Sequence, residues 1–113
     1  MELPDDALVL RGGTMRMADL LRTAEHCVVK HGRPGVSVFA ADVASLDELL
    51  AQCVVPHGHI RLSTVGRLRA LGFTVEQTGP PPHHTVWLPA GDREHWLKVL
   101  ERAFDEPIAR PGF

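Results

Sequence analysis

An arginine followed by two glycines ends the first apolar run of this 113-residue chain. Residues 7–10 read Ala-Leu-Val-Leu, and Arg11, Gly12 and Gly13 follow them directly. Glycine has no side chain, so the backbone beside the guanidinium is open to close approach by a ligand. The pattern predicts a ligand-binding turn at the end of a strand. The alternative is an ordinary strand-ending turn with a solvated arginine.

A second strand-like run contains a serine that could share a site with this arginine. In residues 35–40, Val36 and Val38 alternate with Ser37 and Phe39, which is the period of a strand. If both runs belong to one sheet, we expect Arg11 and Ser37 to face a common cleft.

Histidines are the other candidates for chemistry, because an imidazole gains and loses a proton near neutral pH. The chain has seven, and four of them, His57, His59, His83 and His84, lie beside predicted turns. Their spacing lacks the helical i, i+4 pattern of common zinc motifs, so we expect no metal site. They are otherwise histidines of the surface or of a cavity rim. The alternation of the last strand favours a packed His84 and a His83 that faces the opposite way.

Three arginines surround a short amphipathic helix near the middle of the chain. Val65, Leu68 and Leu71 fall at helical spacing, and Arg61, Arg67 and Arg69 could meet the phosphates of RNA. The alternative is a solvated cationic face. The chain contains neither GxxxxGK[ST] nor a GxGxxG between a strand and a helix, so the sequence offers no standard nucleotide loop.

Composition narrows the class of protein without selecting a function. The net charge of −2 and the pI near 6.4 provide no overall attraction to nucleic acid or to membranes. No apolar run approaches the roughly 18 residues of a membrane span. Cys27 and Cys53 lie in apolar helical patterns without a CxxC partner, which predicts reduced thiols and a cytosolic protein. The acidic N-terminus argues against a signal peptide.

The periodic segments predict one α+β domain over residues 1–113. Strands are expected near residues 7–10, 35–40, 60–62, 73–78 and 84–88, and about four helices lie among and after them. We expect a small mixed sheet whose last two strands form an antiparallel pair. The residues expected in the core are Leu20, Leu21, Val38, Leu49, Leu68, Leu71, Phe73, Val86, Leu97 and Leu100.

The two strands that carry Arg11 and Ser37 resemble the Arg-then-Ser skeleton of small bacterial toxins with an ADP-ribosyltransferase-like fold. In that family an arginine ending the first strand holds the dinucleotide, and a serine on a later strand supports the pocket. The resemblance therefore implies these roles for Arg11 and Ser37, with NAD as the cofactor. The family's third element is a strand glutamate that acts on the ribose, and the candidate for it is Glu76.

A second resemblance covers residues 68–89. This segment is similar to the helix–strand–GSHH–strand core of HicA-type messenger-RNA interferases, in which a histidine at the turn performs acid–base chemistry on RNA. The resemblance implies a catalytic His83. Pro82 stands where that family has a serine.

Both resemblances imply a small cytosolic toxin of a bacterial toxin–antitoxin or effector–immunity pair, whose partner is a cognate antitoxin or immunity protein. The alternative is a non-catalytic interaction module. Its binding surface would comprise an exposed Trp87, the proline-rich loop at residues 79–82, and Asp47 and Glu48.

Overall fold

One antiparallel sheet of six strands organises the chain. The structure, a computed structural model, describes residues 2–112. Its strands lie side by side in the order β4-β5-β2-β1-β3-β6. The elements follow the chain as β1 (Leu8–Gly12), α1 (Met17–His31), β2 (Gly35–Ala41), α2 (Leu46–Leu50), β3 (His59–Thr64), α3 (Val65–Ala70), β4 (Thr74–Gln77), β5 (His83–Trp87), α4 (Arg93–Arg102) and β6 (Ile108–Ala109).

The chain is therefore an α+β domain with four helices, but the expectation of a mixed sheet is wrong. All five strand pairings in the described residues are antiparallel. The reason is the path of α1 across the strands. The backbone oxygen of Thr14, just before α1, accepts a hydrogen bond from Arg61 on β3, and His31 at the helix end contacts Trp87 on β5. A helix laid across the sheet delivers the chain to β2 without the reversal that a parallel pair requires.

Local signals set the ends of most helices. Gly32 ends α1 in the left-handed conformation, and the side chains of Ser45, Thr64 and Asp92 cap α2, α3 and α4. At the start of α1 the N-cap is Arg16, which makes no capping hydrogen bond through its side chain.

The two faces of the sheet bury separate apolar clusters. Alternate residues of β1 and β2, including Val9 and Val38, pack with α1, α3 and α4 into the larger one. Leu10 on the opposite face joins Leu49 and Ile60 in the smaller one, under α2. Most of the expected core is buried, namely Leu20, Val38, Leu49, Leu68, Phe73, Val86, Leu97 and Leu100.

The expectation that Leu71 lies in the core is wrong: Leu71 is 43% exposed because α3 ends at Ala70 and the chain leaves the helix there. Residues 108–109 form a short strand, β6, against β3, and the sequence does not predict it. In residues 2–112 no helix is long and apolar enough to cross a membrane.

The sheet opens at its centre, between β1 and β2. Their paired register covers only Leu8 to Leu10 on β1, whereas the β1–β3 pairing continues to Gly12. On the other side, the β2–β5 pairing extends to Gly35. Beyond Leu10 the two middle strands have separated while each keeps its outer neighbour. This separation leaves a space between β1 and β2 in the middle of the sheet.

Candidate functional site

A cavity of about 540 Å³ occupies the opening between β1 and β2. This volume lies in the range of roughly 300–1,000 Å³ found for small-molecule and cofactor sites. The second wall comes from residues 55–59, which lie here because α2 ends at Leu50 instead of continuing to Cys53. The lining consists of residues 10–16, Asp19, residues 37–39, residues 55–59 and His83.

Arg11 bridges the two separated strands. Its Nη1 donates to the backbone oxygen of Ser37 over 2.6 Å, and its Nη2 donates to Thr23 Oγ1 of α1 over 3.3 Å. Its Nε is buried and makes no hydrogen bond within residues 2–112. Burial lowers the pKa of this guanidinium, and the charge of Asp19 raises it in part. An arginine remains protonated under these conditions, so the cavity contains a positive charge with unused donor capacity.

Ser37 and Arg11 thus line the same cavity, although the contact uses the serine backbone. Phe39, two residues after Ser37 on the same strand, adds an aromatic ring to the lining. Gly35, the first residue of β2, has a packing role. A side chain there would lie 2.7 Å from Thr85 and 2.8 Å from Trp87, so the glycine lets β5 pack closely on β2.

The imidazole of His57 lies directly against the glycines after Arg11. A Cβ placed on Gly12 would be 2.5 Å from His57 Nδ1, a distance that real side chains do not adopt. Gly13 has a φ of 87°, and its amide donates to the backbone oxygen of His59 over 2.7 Å. The Arg-Gly-Gly turn therefore accommodates an aromatic side chain of the protein, and His57 and His59 both line the cavity.

Met15 in the same wall has a strained backbone. Its φ is 59°, and it is the non-glycine residue with a positive φ in the described part of the chain. The left-handed conformation costs an L-residue roughly 1–2 kcal/mol. The Met15 side chain is buried, and its packing holds this conformation in place. Strained backbone conformations of this kind are found most often at active sites and ligand-binding regions.

His83 lies at the first position of β5, opposite Phe39 of β2. The two rings meet edge to face with centroids 6.3 Å apart. Its Nδ1 is 3.2 Å from Thr78 Oγ1. Burial lowers the pKa of His83, and the charges of Lys30, His84 and His31 lower it further. The ring is therefore neutral at pH 7. His84 is buried, with Nδ1 2.8 Å from the backbone oxygen of Pro82.

Glu76 does not line the cavity. Its carboxylate accepts a 2.8 Å hydrogen bond from Trp87 Nε1. Trp87 is not exposed as the sequence suggests: only 5% of it is accessible, and the Arg33 guanidinium stacks over its ring at 4.5 Å. Residues 79–82 lie at the other end of β5 from Trp87. Trp87 and the proline-rich loop therefore do not form the shared binding surface expected for an interaction module.

The three arginines expected to contact RNA do not form a free cationic face. Arg61 is 4% exposed, and it pairs with Glu101 over 2.7 Å. Arg67 pairs with Asp105, and Arg69 pairs with Asp5, over 2.8 and 2.9 Å. The role of Arg61 as a surface contact is wrong, because a basic residue on a strand next to β1 is enclosed by α4 and the chain after it.

The side chains that the sequence underestimates are Phe39, His57 and Thr78. Phe39 reads as a buried strand residue, and its position opposite His83 depends on strand register. Thr78 reads as the last residue of a strand, with no sign of its contact to a histidine. His57 lies beside a predicted turn, and this position is the usable signal in the sequence. Within residues 2–112 no group of three or more His, Cys, Asp or Glu side chains is placed to hold a metal ion.

No protein-family model, curated protein or solved structure matches this chain. The geometry of the cavity and the chemistry of its residues are therefore the basis for a function.

Proposed function

We propose that this chain is a NAD-binding toxin with an ADP-ribosyltransferase-like site in the opening between β1 and β2. The observation that carries the proposal is the position of Arg11. Its guanidinium joins the two separated strands and borders a cavity of cofactor size. A guanidinium that lines a cavity places a positive charge there, which favours an anionic ligand.

The lining fits such a ligand in chemical type. Arg11 and Arg16 provide positive charge for the phosphates, and Phe39 and His57 provide aromatic rings near which a base or a nicotinamide can lie. Ser37 supports the arrangement by holding Arg11 through its backbone oxygen. When bound, NAD supplies a nicotinamide leaving group on a ribose carbon. The protein's own part is to bind and orient the dinucleotide.

The proposed site does without Glu76 as the acid that acts on the ribose. That carboxylate is bonded to Trp87, and Asp19 is the carboxylate that lines the cavity. Asp19 pairs with Arg16 over 3.3 Å and also with Arg22. It therefore serves to balance charge near Arg11, and another group must move protons.

A toxin of this type would act on a cytosolic target and be silenced by a cognate antitoxin or immunity protein.

The test measures NAD binding by titration calorimetry and growth arrest on induced expression in a bacterium. Arg11→Met should weaken binding at least tenfold, because it removes a charge worth roughly 1.5–3 kcal/mol to a charged ligand. It should also relieve growth arrest. Arg69→Met is the matched control, since Arg69 pairs with Asp5 away from the cavity. Absence of NAD binding by the wild type contradicts the proposal.

A ribonuclease remains the second candidate because His83 lines the cavity and is partly accessible. If this candidate is correct, binding of single-stranded RNA weakens steeply as salt rises, and Arg67→Met lowers the steepness by about one unit. Under the NAD proposal RNA binding is absent at low salt, and Arg67→Met leaves growth arrest unchanged. The two variants, Arg11→Met and Arg67→Met, therefore separate the two functions.

A further inference from the structure

The imidazole of His83 is held at one nitrogen and open at the other. Nδ1 lies 3.2 Å from Thr78 Oγ1, which in turn lies 2.7 Å from Thr85 Oγ1. Nε2 makes no hydrogen bond within residues 2–112, and the residue is only half-buried and borders the cavity. The open nitrogen is therefore the one that a bound molecule can reach.

The two threonines allow the ring to exchange its proton position. A hydroxyl donates one hydrogen bond and accepts others. If Nδ1–H donates to Thr78, then Thr78 donates to Thr85, and Nε2 carries the lone pair. If both hydroxyls rotate, Thr85 donates to Thr78, Thr78 donates to Nδ1, and Nε2 carries the hydrogen. The same ring can thus accept or donate a proton at Nε2 without moving.

The turn before β5 fixes the ring in this place. A Cβ on Gly79 would lie 3.2 Å from His83 Nδ1 and 3.4 Å from its Cβ and Cγ. The backbone of the turn therefore lies against the held edge of the ring. The amide of His83 also donates to the backbone oxygen of Pro80 over 2.9 Å. Close backbone contact and a side-chain hydrogen bond together leave the ring little freedom.

We propose that His83, positioned by Thr78, is the acid–base catalyst of this site and takes the proton of a hydroxyl nucleophile that attacks the ribose of NAD. This inference rests on the proposed function. The nucleophile is water or a hydroxyl of the target. Its oxygen forms a bond to ribose C1′, while the bond from C1′ to the nicotinamide nitrogen breaks and its electron pair leaves with neutral nicotinamide. The proton moves to His83 Nε2 and then to solvent.

The charges around the ring support a neutral imidazole, which is the form that a base requires. Lys30 and His31 approach from α1, and His84 adjoins it on β5; with burial, these groups lower the pKa of His83. The opposite influence would come from a carboxylate. The carboxylate that shares the cavity is Asp19, which is engaged with Arg16 and Arg22. The remaining basic groups of the lining are Arg11, His57 and His59.

The experiment follows NAD hydrolysis and NAD binding in the same set of variants of the whole chain. His83→Gln should lower kcat by roughly 10²- to 10⁴-fold, the usual contribution of acid–base catalysis, and change the Kd for NAD by less than about twofold. Thr78→Val should lower kcat by about five- to tenfold, the factor that one ordinary hydrogen bond is worth. Thr78→Ser, which keeps the hydroxyl, should restore it. His26→Gln, an exposed histidine of α1, is the matched control.

The pH dependence provides a readout that a structural role would not affect. Wild-type kcat/KM should fall tenfold per pH unit on the acidic side of the His83 pKa, and His83→Gln should lose this dependence. Binding of NAD without turnover, or turnover that His83→Gln retains with the same acidic limb, overturns the inference and leaves the proposed function intact. Absence of NAD binding by the wild type overturns both.

Discussion

Two arginines, Arg11 and Arg61, lie directly opposite each other on β1 and β3 and yet have different surroundings. Arg61 uses all five of its N–H groups within the protein. They donate to the backbone oxygens of Thr14, Glu101, Phe104 and Asp105 and to the Glu101 carboxylate. Arg11 uses two donors, and its Nε has no hydrogen-bond partner among residues 2–112.

Two arginines on the same face of the sheet thus have different roles: Arg61 stabilises the fold, and Arg11 borders the cavity. Facing pairs on adjacent strands bring like charges together, which is unfavourable unless each charge has its own partners. For Arg61 these partners come from α4 and the chain after it, which close around the guanidinium. For Arg11 they come from Ser37 and Thr23, and a cavity occupies the remaining side. An arginine whose N–H donors are all used within the protein has a structural role. An arginine with unused donors beside a cavity is suited to bind a ligand.

The largest expected effect is the loss of stability in Arg61→Met. This change removes five hydrogen bonds at once and leaves buried backbone oxygens without a donor. We expect the free energy of unfolding to fall by about 3–5 kcal/mol, as when one member of a buried ion pair is removed. Urea denaturation followed by circular dichroism measures it. A loss below about 1 kcal/mol would mean that the enclosure of Arg61 contributes nothing.

Substitution of the acid beside Arg61 should also cost more stability than substitution of the acid near Arg11. Glu101→Gln keeps the shape of the partner of Arg61 but removes its charge, and we expect a loss of about 1–2 kcal/mol, limited by the partial exposure of Glu101. Asp19→Asn removes pairs with the exposed Arg16 and Arg22 and should cost about 0.5 kcal/mol or less. Equal losses in the two variants would contradict the distinction.

Arg11→Met should leave the free energy of unfolding within about 1 kcal/mol of the wild type. The variant loses two hydrogen bonds, but it also removes a buried charge and an unpaired Nε, and these effects offset each other. Under the proposed function the same variant loses NAD binding. Thermal unfolding with and without NAD measures both quantities. A variant as unstable as Arg61→Met would show that Arg11 is a structural residue.

The smallest effect concerns pH. The pKa of His83 is lowered in the folded protein from its ordinary value of 6.5, so the folded state binds fewer protons than the unfolded state just below that pH. The stabilisation is fully present above pH 6.5 and is lost as pH falls through the folded-state pKa. His83→Gln should therefore flatten this part of the stability profile. The stability of both proteins, measured between pH 5 and pH 7.5, tests the sign; an identical slope in the two refutes it.

Periodicity identifies the elements apart from β6, but not their arrangement in the sheet. The alternation in residues 35–40 and the helical spacing through Leu20 and Ala24 identify β2 and α1, and both residues face the core. The same pattern is compatible with a helix that returns along the strand or one laid across it. Only the contacts of Thr14 and His31 with β3 and β5 distinguish them. The direction of β2 was therefore beyond the reach of the sequence.

For the candidate site, too, the sequence identifies some residues and does not reveal the surroundings of others. Arg11 and Gly12 are recognisable because they directly follow the first apolar run, where a strand ends and the chain turns. The burial of Arg61 was not, since it depends on residues more than 40 positions later, at Glu101 and Phe104. Trp87 shows the same limit, because its closest polar partners, Glu76 and Arg33, become neighbours only through strand pairing. Contacts distant in sequence decide which cation is free.

The close approach of Gly12 to His57 has a consequence for how this sequence can diverge. A side chain at position 12 requires the exposed ring of His57 to move or to be replaced by a smaller residue, because a Cβ at position 12 would stand 2.5 Å from His57 Nδ1. The two positions, 45 apart in the chain, should therefore change together. In relatives where β1 ends in alanine, we expect serine or glycine in place of the histidine. In a double-substitution library selected for folding, Gly12→Ala should survive mainly in combination with His57→Gly or His57→Ser.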